Sequence, residues 1–140
     1  MNDNEIDSLL NYFKVESQRL FQFLKDYGFQ FEGSEVSSSK LTTKVKYFGK
    51  NIAVVLQYDL RTEFSSCCLF KVSQGKIDWN EGQYQLFSYL LKKCGYRGKM
   101  LNDTSMIEDN KEKIRLDLDR YATVLKSHGE NILADMDIFS

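Results

Sequence analysis

Leu41-Thr42-Thr43-Lys44-Val45-Lys46-Tyr47-Phe48, then Gly49-Lys50-Asn51, then Ile52-Ala53-Val54-Val55-Leu56-Gln57-Tyr58-Asp59, is the stretch that decides the fold. Leu41, Thr43, Val45 and Tyr47 alternate with polar residues, the period-two signature of a half-buried strand. Ile52, Val54, Leu56, Tyr58 and Leu60 repeat it. Ala53 and Val55 make the second face of that strand apolar as well, so it is expected at the centre of a sheet. Phe48 to Asn51 is expected to be the hairpin turn, with Gly49 supplying a positive φ. Residues 64–72 give a third alternation, with Phe64, Ser66, Cys68, Phe70 and Val72 on the expected apolar face, ended by Ser73-Gln74-Gly75-Lys76.

Working outward, residues 5–27 carry Ile6, Leu9, Leu10, Phe13, Leu20, Phe21, Leu24 and Tyr27 at helical spacing. Asp3 or Asn4 is the expected cap and Gly28 the stop. Phe29 and Phe31 begin a strand, and Gly33 to Ser39 reads as a loop or a ragged edge strand. Asp78 before Trp79-Asn80-Glu81 resembles a capping box, predicting a helix to about Lys93 with Tyr84, Phe87, Leu90, Leu91 and Cys94 inward and Gly95 as its end. Residues 96–105 read as an exposed loop. A long helix is expected over 110–127, with Ile107, Ile114, Leu118, Tyr121 and Leu125 along one side and Gly129 breaking it. Residues 130–135 add a last turn. The order α-β-β-β-(β)-α-α predicts one α+β domain over residues 1–140, an antiparallel sheet of three to five strands with helices on one face.

The chain has 140 residues, 42% hydrophobic and 28% charged, the balance of a globular domain with its own core. Its net charge of −1 argues against a dedicated nucleic-acid binder. That total hides three blocks. Residues 1–35 hold seven acids and three bases, residues 36–100 four acids and eleven bases, and residues 101–140 nine acids and five bases. Acidic ends around a basic middle create local fields that steer association, or neutralise one another across the folded domain. The opening Met1-Asn2-Asp3-Asn4-Glu5 lacks the basic and apolar regions of a secretory signal, and no segment approaches a membrane span. Cys67, Cys68 and Cys94 show no disulfide or zinc spacing, which favours reduced thiols and the cytoplasm.

No constellation reads as catalytic, and no cofactor or metal is expected. The isolated glycines form no phosphate-binding loop. His128 sits near the end of the long helix, where a protonated imidazole suits the helix dipole better than it suits a general base. Asp117 and Asp119 diverge on a helix and cannot share a ligand, and Asp135 and Asp137 lie in an acidic tail. Vicinal Cys67 and Cys68 lack the spacing of a redox pair and read as core thiols. Lys44, Lys46 and Lys71, with Lys40, Lys50 and Arg61, could form a basic sheet face. Tyr47 falls on the apolar side, however, so the stacking platform of an RNA-binding sheet is missing. Trp79 reads as a core anchor.

Asp119-Arg120-Tyr121-Ala122-Thr123-Val124-Leu125-Lys126, then Gly129-Glu130-Asn131-Ile132-Leu133-Ala134-Asp135, then Ile138-Phe139, resembles the endings of small bacterial immunity proteins of contact-dependent growth inhibition and other polymorphic toxin systems. Residues 45–47 and 52–59 are similar to their strand pairs. Ala134 stands where that ending has Gly, and Met136 and Asp137 displace the final Asp-Ile-Phe. The resemblance implies a cytoplasmic, non-enzymatic protein that binds a cognate toxin domain and blocks it stoichiometrically. The partner-binding residues expected under it are Asp3, Glu5 and Asp7, or Asp117, Asp135 and Asp137, whose carboxylates would imitate phosphate in a basic cleft; the basic middle leaves open an acidic toxin surface instead. Membrane and nucleic acid are not expected partners. The aromatic-rich helices leave a homodimer open. The rival expectation is an adaptor or small-molecule regulator using the space between sheet and helices.

Overall fold

The structure, a computed structural model, describes residues 2–78, 83–85 and 108–133, with side chains placed over 2–78 and 108–127. Helix α1 (Asp3–Leu20) leads into a 3-10 turn (Gln22–Tyr27). Six antiparallel strands follow: β1 (Gln30–Val36), β2 (Thr42–Phe48), β3 (Ile52–Asp59), β4 (Phe64–Ser73), β5 (Lys76–Ile77) and β6 (Gln83–Gln85). Helix α2 (Asn110–Leu133) closes the described chain. The sheet runs β1-β2-β3-β4, with β5 and β6 both pairing along β4's other edge. This is the expected single α+β domain.

β3 is the pivot, because every residue from Ile52 to Leu56 is buried. Ile52, Val54, Leu56 and Tyr58 join Val45 and Tyr47 of β2 and Cys67 and Leu69 of β4 in the main core. Leu9, Leu10 and Phe13 of α1, and Ile114, Leu118, Ala122 and Leu125 of α2, pack onto that face. Ala53 and Val55 form a smaller cluster on the opposite face with Phe70 and Val72.

The register corrects the expected face of β4. Leu56 lies opposite Cys67 and Val54 opposite Leu69, and directly paired residues project to the same side. The main core therefore takes Cys67 and Leu69, while Cys68, Phe70 and Val72 serve the second cluster and Phe64 stays exposed. Alternation alone could not choose, because both faces of β4 are apolar.

Several boundaries also move. The cap of α1 is Asn2, whose Oδ1 accepts from the Glu5 amide at 2.9 Å, rather than Asp3 or Asn4. The first helix stops at Leu20, and the 3-10 turn brings Phe21 and Leu24, three residues apart, to complete burial while Tyr27 swings outward. Gly28 ends it in the left-handed region at φ 84°. Within the helix expected from Asp78 to Lys93, residues 83–85 are strand β6 instead, paired with Cys68, Leu69 and Phe70. The rest of that expectation, with Trp79 and Cys94, lies outside the described residues, as do the loop at 96–105 and Ile107 of the long helix. α2 runs through Gly129 to Leu133, so Gly129 does not break it, as a single interior glycine costs a helix only about 1 kcal/mol.

Gly49 has a role different from the expected one. Its φ is not positive, whereas Gln74 and Gly75 at 55° and 76° form the left-handed pair of the β4–β5 hairpin. What Gly49 provides is space. A Cβ there would lie 2.7 Å from the tip of the buried Phe29 ring. Gly49→Ala is expected to destabilise the protein by about 1–3 kcal/mol through this overlap, read as a lower urea midpoint at unchanged slope. An unaltered midpoint would show that the Phe29 ring yields freely.

Candidate protein-interaction surface

Both described helices begin with the same local chemistry. Asn2 caps α1 three residues before Glu5, and Asp109 caps α2 three residues before Glu112. The Asp109 Oδ1 accepts from the amides of Lys111 at 2.9 Å and Glu112 at 3.3 Å. Acidic residues in a first turn also complement the positive end of the helix.

The two helices pack in parallel. Lys111 Nζ donates to Ser8 Oγ at 3.2 Å and lies 5.6 Å from the centre of the Tyr12 ring. Fifteen residues on, Lys126 Nζ lies 5.0 Å from the centre of the Phe23 ring. Both helix starts therefore meet at one end of the molecule. A groove of about 410 Å³ lies between them, lined by Asn2, Asn4, Glu5, Ser8, Leu9, Asp109, Asn110 and Lys111. Glu5 and Asp109 are the acids that line it, together with Lys111. Asp3 and Asp7 are exposed as well, but stand roughly 200° round α1 from Glu5, and Glu108 is exposed just before the cap of α2. Lys40 reaches Asp7 at 3.4 Å. Among the described residues no three His, Cys, Asp or Glu side chains are close enough to share a metal. The carboxylates are spread over a surface.

The other expected binding residues do not join this end. Asp117 is buried, 6% exposed, one side chain away from Arg120 at 3.6 Å. It stands on the inward side of α2 beside Leu118, so its carboxylate does not reach the surface expected of it. Asp135 and Asp137 lie outside the described residues. The backbone places His128 within α2, five residues before its end, rather than at the cap. The proposed basic sheet face is divided: Lys44 and Lys46 point to the second face, Lys46 meeting Glu35 at 3.0 Å, while Lys71 lies opposite Ile52 and projects to the helix side. Burial raises the Cys67 thiol well above its usual range and raises that of Cys68 too, so neither has the thiolate character of a redox centre.

A second concavity, of about 470 Å³, lies between α1 and the edge strand, lined by Val15, Gln18, Arg19, Gln22, Lys25, Phe31 and Tyr47. Sequence reading missed both concavities because each depends on which elements become neighbours. The Asn2-to-Glu5 and Asp109-to-Glu112 spacings were the available signal for the first.

No family model matches the chain, and no curated protein or solved structure matches it either. No helix among the described residues is long and apolar enough to cross a membrane.

Beneath the helices, the Tyr58 hydroxyl is buried without a hydrogen-bond partner. Burial pushes this phenol up to about 12, and it does the same to Tyr47. A folded-state pKa above the unfolded value means stability that is intact below pH 10 and is lost as pH rises from about 10 to 12. Tyr58→Phe is expected to raise stability by up to about 1 kcal/mol at pH 7, since it removes an unsatisfied buried hydroxyl. It should also soften the alkaline loss. Urea unfolding of both proteins from pH 7 to 12 checks this, and a marked loss at pH 7 would reveal a hydrogen bond at that hydroxyl.

Proposed function

We propose that this chain is a non-enzymatic immunity protein, which binds the toxin domain of a cognate bacterial effector and occludes it one to one. The observation that supports this reading is the meeting of two acidic helix starts at one end of the fold. Glu5 of α1 and Asp109 of α2 face each other across the groove, and exposed Asp3, Asp7 and Glu108 surround that end of the two helices. On this reading a basic side chain of the toxin would enter the groove between Glu5 and Asp109, beside Lys111. Such a surface suits a toxin whose own substrate is anionic, because the inhibitor then offers carboxylates where phosphates would sit. The resemblance of residues 119–135 to immunity-protein endings points the same way. Steering by opposite charge gives fast association, the property most useful to an inhibitor that must outpace catalysis.

The test is calorimetric titration with the C-terminal domain of the polypeptide encoded immediately upstream, carried as an inactivated variant. One-to-one binding near nanomolar is expected, on the order of −12 kcal/mol. The double variant Asp7→Lys, Glu108→Lys leaves both caps in place. It is expected to slow association roughly tenfold at low salt and to flatten the salt dependence. Absence of binding contradicts the immunity role, and binding indifferent to both substitutions contradicts the acidic end as its site.

A further inference from the structure

α1 covers β2 and β3 but leaves β1 outside its shadow. Phe31 lies opposite Tyr47 and Val36 opposite Thr43, so both project to the helix side of the sheet. Their partners on β2 are sealed under α1, with Tyr47 2% and Thr43 1% exposed, whereas Phe31 is 38% and Val36 51% exposed. Val15, 52% exposed, faces Phe31 across the 470 Å³ groove, and Tyr47 forms its floor with its ring 5.6 Å from that of Phe31. The core thus continues to the surface at one place, between a helix flank and an overhanging edge strand.

The polar residues around this groove carry one sign of charge. Arg19 and Lys25 line it with the amides of Gln18 and Gln22, and no carboxylate is among the lining residues. Glu16 already holds Arg19 at two points, Nε at 3.0 Å and Nη2 at 2.7 Å, so Arg19 lends its charge to the groove while Lys25 is the exposed cation left to meet an incoming carboxylate. Gln18, Gln22 and Lys25 can donate hydrogen bonds to it.

We propose that the groove between α1 and β1 is a docking site for an extended acidic segment of a partner polypeptide, which sets an apolar anchor on Tyr47 between Val15 and Phe31 and a carboxylate against Lys25 and Arg19. The anchor completes the interrupted core, and the flanking acid selects against basic segments. A second copy of this chain is a poor occupant. Antiparallel self-pairing of β1 centred between Gly33 and Ser34 would set Glu32 against Glu35. This deepens the immunity reading, on which it rests for the identity of the partner. Along one flank of α1 the footprint changes from the acids Asp3 and Asp7 to the cation-rimmed groove, so the toxin domain would present a basic surface and an acidic, apolar segment side by side.

The docking site is tested without that partner. A random decapeptide library displayed on phage is selected against the full chain, and the enriched peptides are synthesised and titrated. The expected peptides pair an aromatic or branched apolar residue with Asp or Glu. Their affinity is expected to fall at least tenfold with Lys25→Glu, and similarly with Val15→Glu, which alters only an exposed helix position. Asp7→Lys, Glu108→Lys should leave it unchanged. No enrichment, basic peptides, or binding indifferent to Lys25→Glu and Val15→Glu would overturn the proposal. So would a dimer in sedimentation that dissociates on Val15→Glu. If decapeptides bind as expected and the upstream domain does not, the groove stands and the immunity reading fails. If that domain binds the wild type and both groove variants equally, the immunity reading stands and the groove proposal fails.

Discussion

Burial of β3 on both faces is the constraint on which the other elements depend. Five consecutive residues, Ile52 to Leu56, are inaccessible, which requires a strand on each side and cover above and below. The side chains of even number take the larger cover. Ile52, Val54, Leu56 and Tyr58 accept both helices, and the antiparallel register then imposes that face on β2 and β4. Cys67 is buried for this reason and no chemical one, and its raised thiol follows from burial.

Two helices over one face of a sheet can run together or opposed. Here they run together, fixed by the Lys111 contact to Ser8 at one end and the Lys126 contact to Phe23 at the other. The candidate surface is a consequence of that choice. Parallel packing puts both capped, acid-rich starts side by side, where an opposed arrangement would have separated them by the length of a helix. The width of the helix layer has an equal effect. It covers β2 and β3, leaves β1 overhanging, and so opens a groove with Tyr47 at its base.

Period-two alternation made β2 and β3 legible, since each has a decisively apolar face. β4 was legible as a strand but not in its orientation, because Cys68, Phe70 and Val72 are as apolar as Cys67 and Leu69, and only pairing with β3 decides between them. The helix expected from Asp78 relied on a capping pattern, while residues 83–85 pair with β4 instead, a long-range contact that local spacing does not encode. Half of the candidate surface was readable. Asp3, Glu5 and Asp7 fall where an exposed first turn puts them, but Asp117 occupies an inward position of α2 that its acidic side chain disguised. Glu108 and Asp109 became neighbours of α1 only through the parallel packing, and the groove at Tyr47 through the overhang of β1.

Amide hydrogen exchange reads the flank of α1 and its adjoining edge strand directly. Among the described residues the outward amides of β1 have no strand partner, and the amides of Asp3 and Asn4 at the start of α1 have no helical one. In the complex of the full chain with the inactivated upstream C-terminal domain, slowed exchange is predicted at residues 3–5 and 30–36, with little change over β3. Slowing confined to α2 and β4, or none at all in a complex shown to form, would contradict it.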